Sequence, residues 1–293
     1  VALRLLVEAM RKFLRLACLL PGLAAGHLEA APLAAQANRT SPQDLEVTTV
    51  GTDGTVSKPV YYTYEELETL AQTTATTDKD PETLKSATYT GVPVNDLFAA
   101  FGAKAEDSVM TMTCYDKYQQ FYDSDYDAKH QPLFLLKFNG LKPDQWPKSD
   151  QDTPQGPYSV VYAKFVPAET IYGYVQPERI PYGVISARIY PRAMFFNLFQ
   201  PKSNADDPEV QKGERIAMGS CISCHNIGDA GGAVAGRPWM ILALYAATNS
   251  DHFRNYIVAP QKIDPSSKMP AHPTFDAKTL DALQAYFKTM APQ

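Results

Sequence analysis

Cys221-Ile222-Ser223-Cys224-His225 is the stretch on which the reading of this chain turns. C-x-x-C-H is the attachment signature of a c-type haem. Cysteines one short turn apart can add across the two vinyl groups of one porphyrin. The histidine that follows is then held under the iron as its proximal ligand. A disulfide or half a zinc site is the competing reading. A zinc site needs two more ligands at similar local spacing, and no second C-x-x-C or H-x-x-x-H follows. The spacing therefore predicts one covalent haem c on Cys221 and Cys224, with His225 on the iron.

A low-spin electron-transfer haem usually has a sixth ligand, and methionine in that place raises the reduction potential. Three methionines follow the motif. Met240 lies in the apolar run Trp239-Met240-Ile241-Leu242, which reads as core packing, and Met290 lies at the end of the last helical pattern. Met269 stands in Ser267-Lys268-Met269-Pro270, an irregular segment that Pro270 stiffens. Met269 is the expected sixth ligand. His272 is its rival and His252 a weaker one; bis-histidine ligation would give a lower potential.

From about Pro208 to the C-terminus the chain resembles the small class-I cytochrome c family, an all-α fold. The resemblance is carried by Gly213-Glu214-Arg215-Ile216-Ala217-Met218-Gly219-Ser220 before the cysteines, Gly231-Gly232 and Gly236-Arg237-Pro238 after them, Lys268-Met269-Pro270, and a last helix through Leu280, Leu283, Tyr286 and Phe287. It implies that Gly213 lets the first helix cross the last one closely. It also implies that the Pro238 carbonyl accepts the hydrogen bond of the His225 ring, which fixes a ligating imidazole. The chain departs from the family in having Ala217 at an often aromatic position and Arg237 between glycine and proline. Arg237 either faces a haem propionate or is a solvated loop cation.

The first residues predict export. Met10-Arg11-Lys12 is a short positive start, Phe13 to Leu23 is apolar apart from Arg15, and Ala35-Gln36-Ala37 offers a small-residue cleavage site before Asn38. This is the pattern of a secretory signal peptide, within residues 1–37; residues 1–9 read as upstream translation with the start at Met10. The apolar run is short for a membrane span, so no stable span is expected after cleavage. The cytochrome resemblance implies haem attachment outside the cytoplasm, which agrees with a periplasmic protein. Of four cysteines, Cys18 leaves with the signal and two hold haem. Cys114 remains, in the alternating run Val109 to Cys114, and reads as buried strand filler.

The mature chain of about 250 residues is long enough for two domains. The expected boundary is the polar stretch 199–208, with an N-terminal domain over 43–198 and the haem domain over 209–293. A net charge of −5 with no basic cluster argues against nucleic acid. The N-terminal domain reads as α+β, mostly β. Asp44 to Val50 and Val56 to Tyr62 form a hairpin around Asp53-Gly54. Thr63 with Glu66 makes a capping box. Thr90 to Phe98 leads into a helix ending near Gly102, and Val109–Cys114, Leu133–Phe138, Ser159–Phe165 and Gly183–Tyr190 are strands.

That order resembles the sulfite-oxidase-type molybdopterin-binding fold. The resemblance is carried by Tyr89 to Phe98 with Phe101-Gly102, by the strand ending near Asp116-Lys117-Tyr118, by Leu135 to Gly140, and by Gly156 to Val161. Fold resemblance does not transfer chemistry. The family's metal-binding cysteine precedes the Thr90-Gly91-Val92-Pro93 element, and this chain has no cysteine between Asn38 and Thr88. It also has no arginine between Arg39 and Arg179, whereas pterin phosphates and oxyanions are gripped by bidentate guanidinium groups. Molybdopterin is therefore not expected. Asp123-Ser124-Asp125-Tyr126-Asp127 has the rhythm of a calcium loop, but Ala128 and Phe134 stand where glycine and glutamate are required, leaving a solvated acidic loop. His130 reads as a surface or structural residue. Tyr115, Tyr118, Tyr122 and Tyr126 read as strand filler, with a pocket lining as the alternative.

Three functions remain: an electron carrier whose N-terminal domain docks a periplasmic redox partner, a molybdenum dehydrogenase with a haem acceptor, and the haem subunit of a larger dehydrogenase. The lack of the cysteine and arginines favours the first and third, with no catalytic residue in this chain. On that reading the N-terminal domain is expected to be removable with little change at the haem.

Overall fold

The computed structural model describes residues 32–148 and 155–292; the export reading of residues 1–31 lies outside them. Two sheets build the N-terminal lobe. The first contains β1 (Leu45–Thr49), β2 (Val60–Tyr62), β5 (Ser108–Cys114), β6 (Gln119–Tyr122) and β11 (Val184–Pro191), in the order β2-β1-β11-β5-β6. Only β1 and β11 pair in parallel. The second is β3 (Thr73–Thr77), β4 (Ala87–Pro93), β7 (Leu133–Phe138) and β8 (Ser159–Val161), antiparallel throughout. A short hairpin, β9 (Thr170–Ile171) with β10 (Tyr174–Val175), projects separately.

Local chemistry sets the connections. Helix α1 (Tyr64–Glu68) opens with the reciprocal Thr63–Glu66 capping box. Helix α2 (Val94–Ala100) follows β4 directly, and the chain leaves it through Gly102 at φ 76°. The acidic run at 123–127 is not a solvated loop. Asp123 is the N-cap of α3 (Ser124–His130), accepting from the Tyr126 N–H, and Arg192 bridges Asp123 and Asp125. A carboxylate that caps a helix start and holds an arginine is already satisfied without a cation. The strand expected over 159–165 ends at Val161.

Alternation along β4, β5, β7 and β11 sends Val92, Met110, Met112, Phe134 and Leu136 into one buried cluster with Leu97, Phe98 and Tyr158. Leu33 and Gln36 are tied to this lobe: the Leu33 N–H reaches the Ala100 carbonyl at 3.0 Å, and Gln36 and Tyr61 exchange two backbone bonds of 2.9 Å. Cleavage at Ala37 would remove these bonds.

After α4 (Arg192–Phe199) the described chain is helical: α5 (Pro208–Ser220), α6 (Trp239–Thr248), α7 (Ser250–Val258), α8 (Pro260–Ile263) and α9 (Ala277–Met290). Helices α5 and α9 cross at Gly213, where an added Cβ would collide with the Ala282 carbonyl. The polar stretch after α4 lacks regular structure, but it is not a linker between separate bodies. Phe199 is fully buried, its ring meets Trp239 at 5.1 Å, and its carbonyl accepts from the Tyr286 hydroxyl at 2.6 Å. The described residues form one compact unit, with Phe121, Tyr174, Phe195 and Phe199 in the same buried cluster as Ile216, Trp239 and Phe287. Two lobes that share a core in this way stabilise each other.

Candidate functional site

Asp207 caps α5 and Pro208 begins it, which sets the helix to run out at Cys221. The chain then folds back on itself. The Cys221 carbonyl accepts from the N–H groups of both Cys224, at 3.2 Å, and His225, at 3.0 Å. This turn is the physical content of the C-x-x-C-H spacing: it gathers two sulfurs and an imidazole around one loop.

His225 is 7% exposed. Its Nδ1 lies 2.6 Å from the Arg237 carbonyl and is assigned as the donor. The expected partner was the Pro238 carbonyl. Pro238 instead stands at the N-cap of α6, where its carbonyl accepts the Ile241 N–H at 2.9 Å. The carbonyl one residue earlier is the one left to face the ring. Burial holds the His225 pKa below the usual histidine range, so the ring is neutral at pH 7 and Nε2 keeps its lone pair for a metal. Burial also pushes the Cys221 thiol up to about 12 and raises that of Cys224.

The two cysteines and His225 open onto a cavity of about 600 Å³, most of whose wall is apolar. Arg237 and Met269 line the same cavity. Met269 sits on a loop pinned from both sides. Its N–H donates to Ser267 Oγ at 3.3 Å, and its carbonyl accepts from Gln261 Nε2 at 2.8 Å. The rivals also reach the cavity. His272 stacks on Phe275, and His252 lies against Tyr245 and Tyr256. The Arg237 guanidinium lies 5.1 Å over the Tyr256 ring, on the cavity wall. Met240, expected in a core, is 46% exposed on α6. Dimensions, apolar lining, neutral imidazole and paired sulfurs all fit a haem.

About a quarter of this site's lining was not foreseen. Tyr118, Gln120, Gly173, Tyr174, Val175, Pro177 and Glu178 of the N-terminal lobe line the cavity. Of these only Tyr118 carried a sequence signal, as one tyrosine in a run with a pocket alternative. The lobes are locked by the Gly173 N–H on Thr279 Oγ1 at 2.9 Å, by Arg215–Glu169 and Arg188–Asp229 ion pairs of 2.6 Å, and by Tyr172 on Glu209 at 2.7 Å. Removing the N-terminal lobe would therefore strip one wall from the cavity, contrary to the expectation that it is dispensable.

The residues of the N-terminal lobe do not fit molybdopterin. Cys114 is 2% exposed inside the inter-sheet cluster, where burial pushes its thiol up. A second cavity of about 820 Å³ carries Arg179 and Arg215 but no cysteine. Its guanidinium groups are committed: Arg215 to Glu169, and Arg179 between the Phe121 and Tyr126 rings with Nη1 on the Phe121 carbonyl. His130 is buried between Tyr126 and Phe165. Among the described residues no cluster of three or more His, Cys, Asp or Glu side chains is arranged to hold a metal ion. Nor is any helix there long and apolar enough to cross a membrane.

No protein-family model and no curated protein sequence matches the chain. Solved structures do match. One is the crystal structure of the sulfane dehydrogenase SoxCD from Paracoccus pantotrophus, at 20% identity and a TM-score of 0.33, over 53% of this chain and 40% of that one. The chain thus spans less than half the length of that protein.

Proposed function

We propose that this chain is a periplasmic c-type cytochrome that passes single electrons through one covalently bound haem. In this reading the helical lobe is a class-I cytochrome-like domain and the N-terminal lobe a sulfite-oxidase-like fold without molybdenum. The observation that carries the proposal is the convergence of Cys221, Cys224, neutral His225 and Met269 on one apolar cavity of about 600 Å³.

Bound haem would supply reversible one-electron exchange at its iron. The chain's own residues do the rest. Cys221 and Cys224 tether the porphyrin. His225 offers Nε2, its orientation fixed through Nδ1 by the Arg237 carbonyl. Met269, on the same cavity wall, would be the second side chain to hold the iron, and Arg237 places a positive charge on the wall, where it would meet a propionate. The apolar lining, completed by Tyr174 and Val175 from the other lobe, keeps water away from the iron site. Electrons are exchanged with a separate redox protein across a small, transient interface, and the N-terminal lobe contributes to that docking face as well as to the cavity.

The test is acid–acetone extraction of the purified protein. One haem per chain should stay with the polypeptide, and the Cys221→Ala/Cys224→Ala protein should lose all of it. Covalent haem retained in the double variant would sink the proposal.

A further inference from the structure

Gln119 opens β6 on the edge of the first sheet, far in sequence from the cysteines, and is 7% exposed. Its backbone N–H donates to the carbonyl of Ser223, between the two attachment cysteines, at 3.1 Å. Its Oε1 accepts the Gly231 N–H at 2.7 Å. Its Nε2 donates to Thr113 Oγ1 at 2.9 Å and reaches the Asp229 carbonyl at 3.5 Å. Beside it the Lys117 carbonyl accepts the Ala233 N–H at 3.0 Å. One turn of the N-terminal lobe thus grips two loops of the helical lobe, 221–225 and 229–233.

Those loops press on each other. The Gly232 N–H donates to the Ile222 carbonyl at 2.7 Å. Gly231 lies so close to the histidine that an added Cβ would come within 2.6 Å of the His225 carbonyl, and its φ of 93° also favours glycine. The His225 ring is held by the Arg237 carbonyl, and its backbone carbonyl packs closely against Gly231. Gly231 is held in turn by Gln119. A buried site that must accept one N–H and donate to a hydroxyl and a carbonyl, without carrying charge, calls for an amide. Removing it would leave the Gly231 N–H unpaired in the interior, which is costly.

We propose that Gln119 is a positioning residue for the proximal haem ligand, acting on His225 through Ser223 and Gly231 from the opposite lobe. The proposal rests on the haem reading above. It makes the N-terminal lobe part of the iron's environment rather than a separate docking module.

The test uses full-length holoprotein and two variants. Gln119→Met keeps the volume and removes the side-chain bonds, while Gln119→Glu keeps an acceptor for Gly231. Covalent haem is first verified in each by pyridine haemochrome spectra. Amide exchange at Gly231 then reads the bond itself, and the hyperfine-shifted NMR resonances of the His225 ring in ferric protein read the ligand. In Gln119→Met, Gly231 should exchange about fivefold faster, equivalent to losing a hydrogen bond of about 1 kcal/mol, and the His225 resonances should move. In Gln119→Glu, which keeps the acceptor but not the donor, both changes should be smaller than in Gln119→Met. Faster exchange at Gly231 with unmoved His225 resonances would reduce Gln119 to lobe docking and overturn the proposal, as would no change in either. Wild-type protein without covalent haem would overturn the underlying reading, and this proposal with it.

Discussion

The two lobes differ in what holds their sites together. In the helical lobe the chemistry is local: sulfurs and imidazole lie within one turn after α5, fixed by Cys221's carbonyl. In the N-terminal lobe nothing chemical is local. Cys114, Arg179 and His130 are each absorbed into packing, against apolar side chains, aromatic faces and stacked rings respectively. Yet this second lobe supplies Tyr118, Gln120 and Tyr174 to the cavity of the first. The difference teaches that a motif marks where a cofactor is attached, whereas its environment is assembled from residues with no motif at all.

The comparison breaks most visibly at Tyr174. It is 2% exposed, its hydroxyl fills the space where a side chain on residue 219 would stand, and it lines both cavities. Tyr174→Ala should cost about 3 kcal/mol of unfolding free energy in urea and shift the haem spectrum. An unchanged spectrum would show that the helical lobe is self-sufficient after all.

A sharper cut falls within the helical lobe. Met269→Ala should abolish the weak far-red ferric band of thioether coordination and lower the potential, because methionine favours ferrous iron. If the wild-type protein lacked that band, and His272→Ala changed the haem spectrum while Met269→Ala was silent, the histidine would be the ligand.

The smallest expected effect belongs to the N-terminal lobe alone. Burial raises the Asp127 carboxyl to about 6, against a hydrogen bond from the Asn95 N–H that lowers it. A carboxyl that binds its proton more tightly when folded adds stability below about pH 4 and loses it as pH rises through 6. Asp127→Asn should therefore gain about 1 kcal/mol at pH 7, after allowance for partial exposure, and nothing at pH 4. Thermal unfolding at the two pH values checks this, and the haem spectrum should not respond.

Much of this architecture was legible because its determinants are short-range. The Thr63–Glu66 box and the β-branched and aromatic character of β5, β7 and β11 each follow from a few neighbouring residues, and the glycine at the α5–α9 crossing was implied by the cytochrome resemblance. Other elements were not. The threonine-rich edge strand β3 is largely exposed, so it shows no apolar alternation. The acidic run at 123–127 looked like a loop because a helix N-cap and a solvated turn use the same residues. The stretch after Phe199 looked like a linker because its polarity is local, while the burial of Phe199 against Trp239 is not. The Arg237-for-Pro238 exchange turned on which carbonyl α6 had already engaged, a matter of helix phase that no spacing encodes.

The central claim is a haem-only redox protein whose iron site both lobes enclose. Metal analysis of purified full-length protein tests it most directly. The account predicts one iron per chain, all of it in covalent haem, and no molybdenum. Stoichiometric molybdenum, or protein folded without iron, would contradict it.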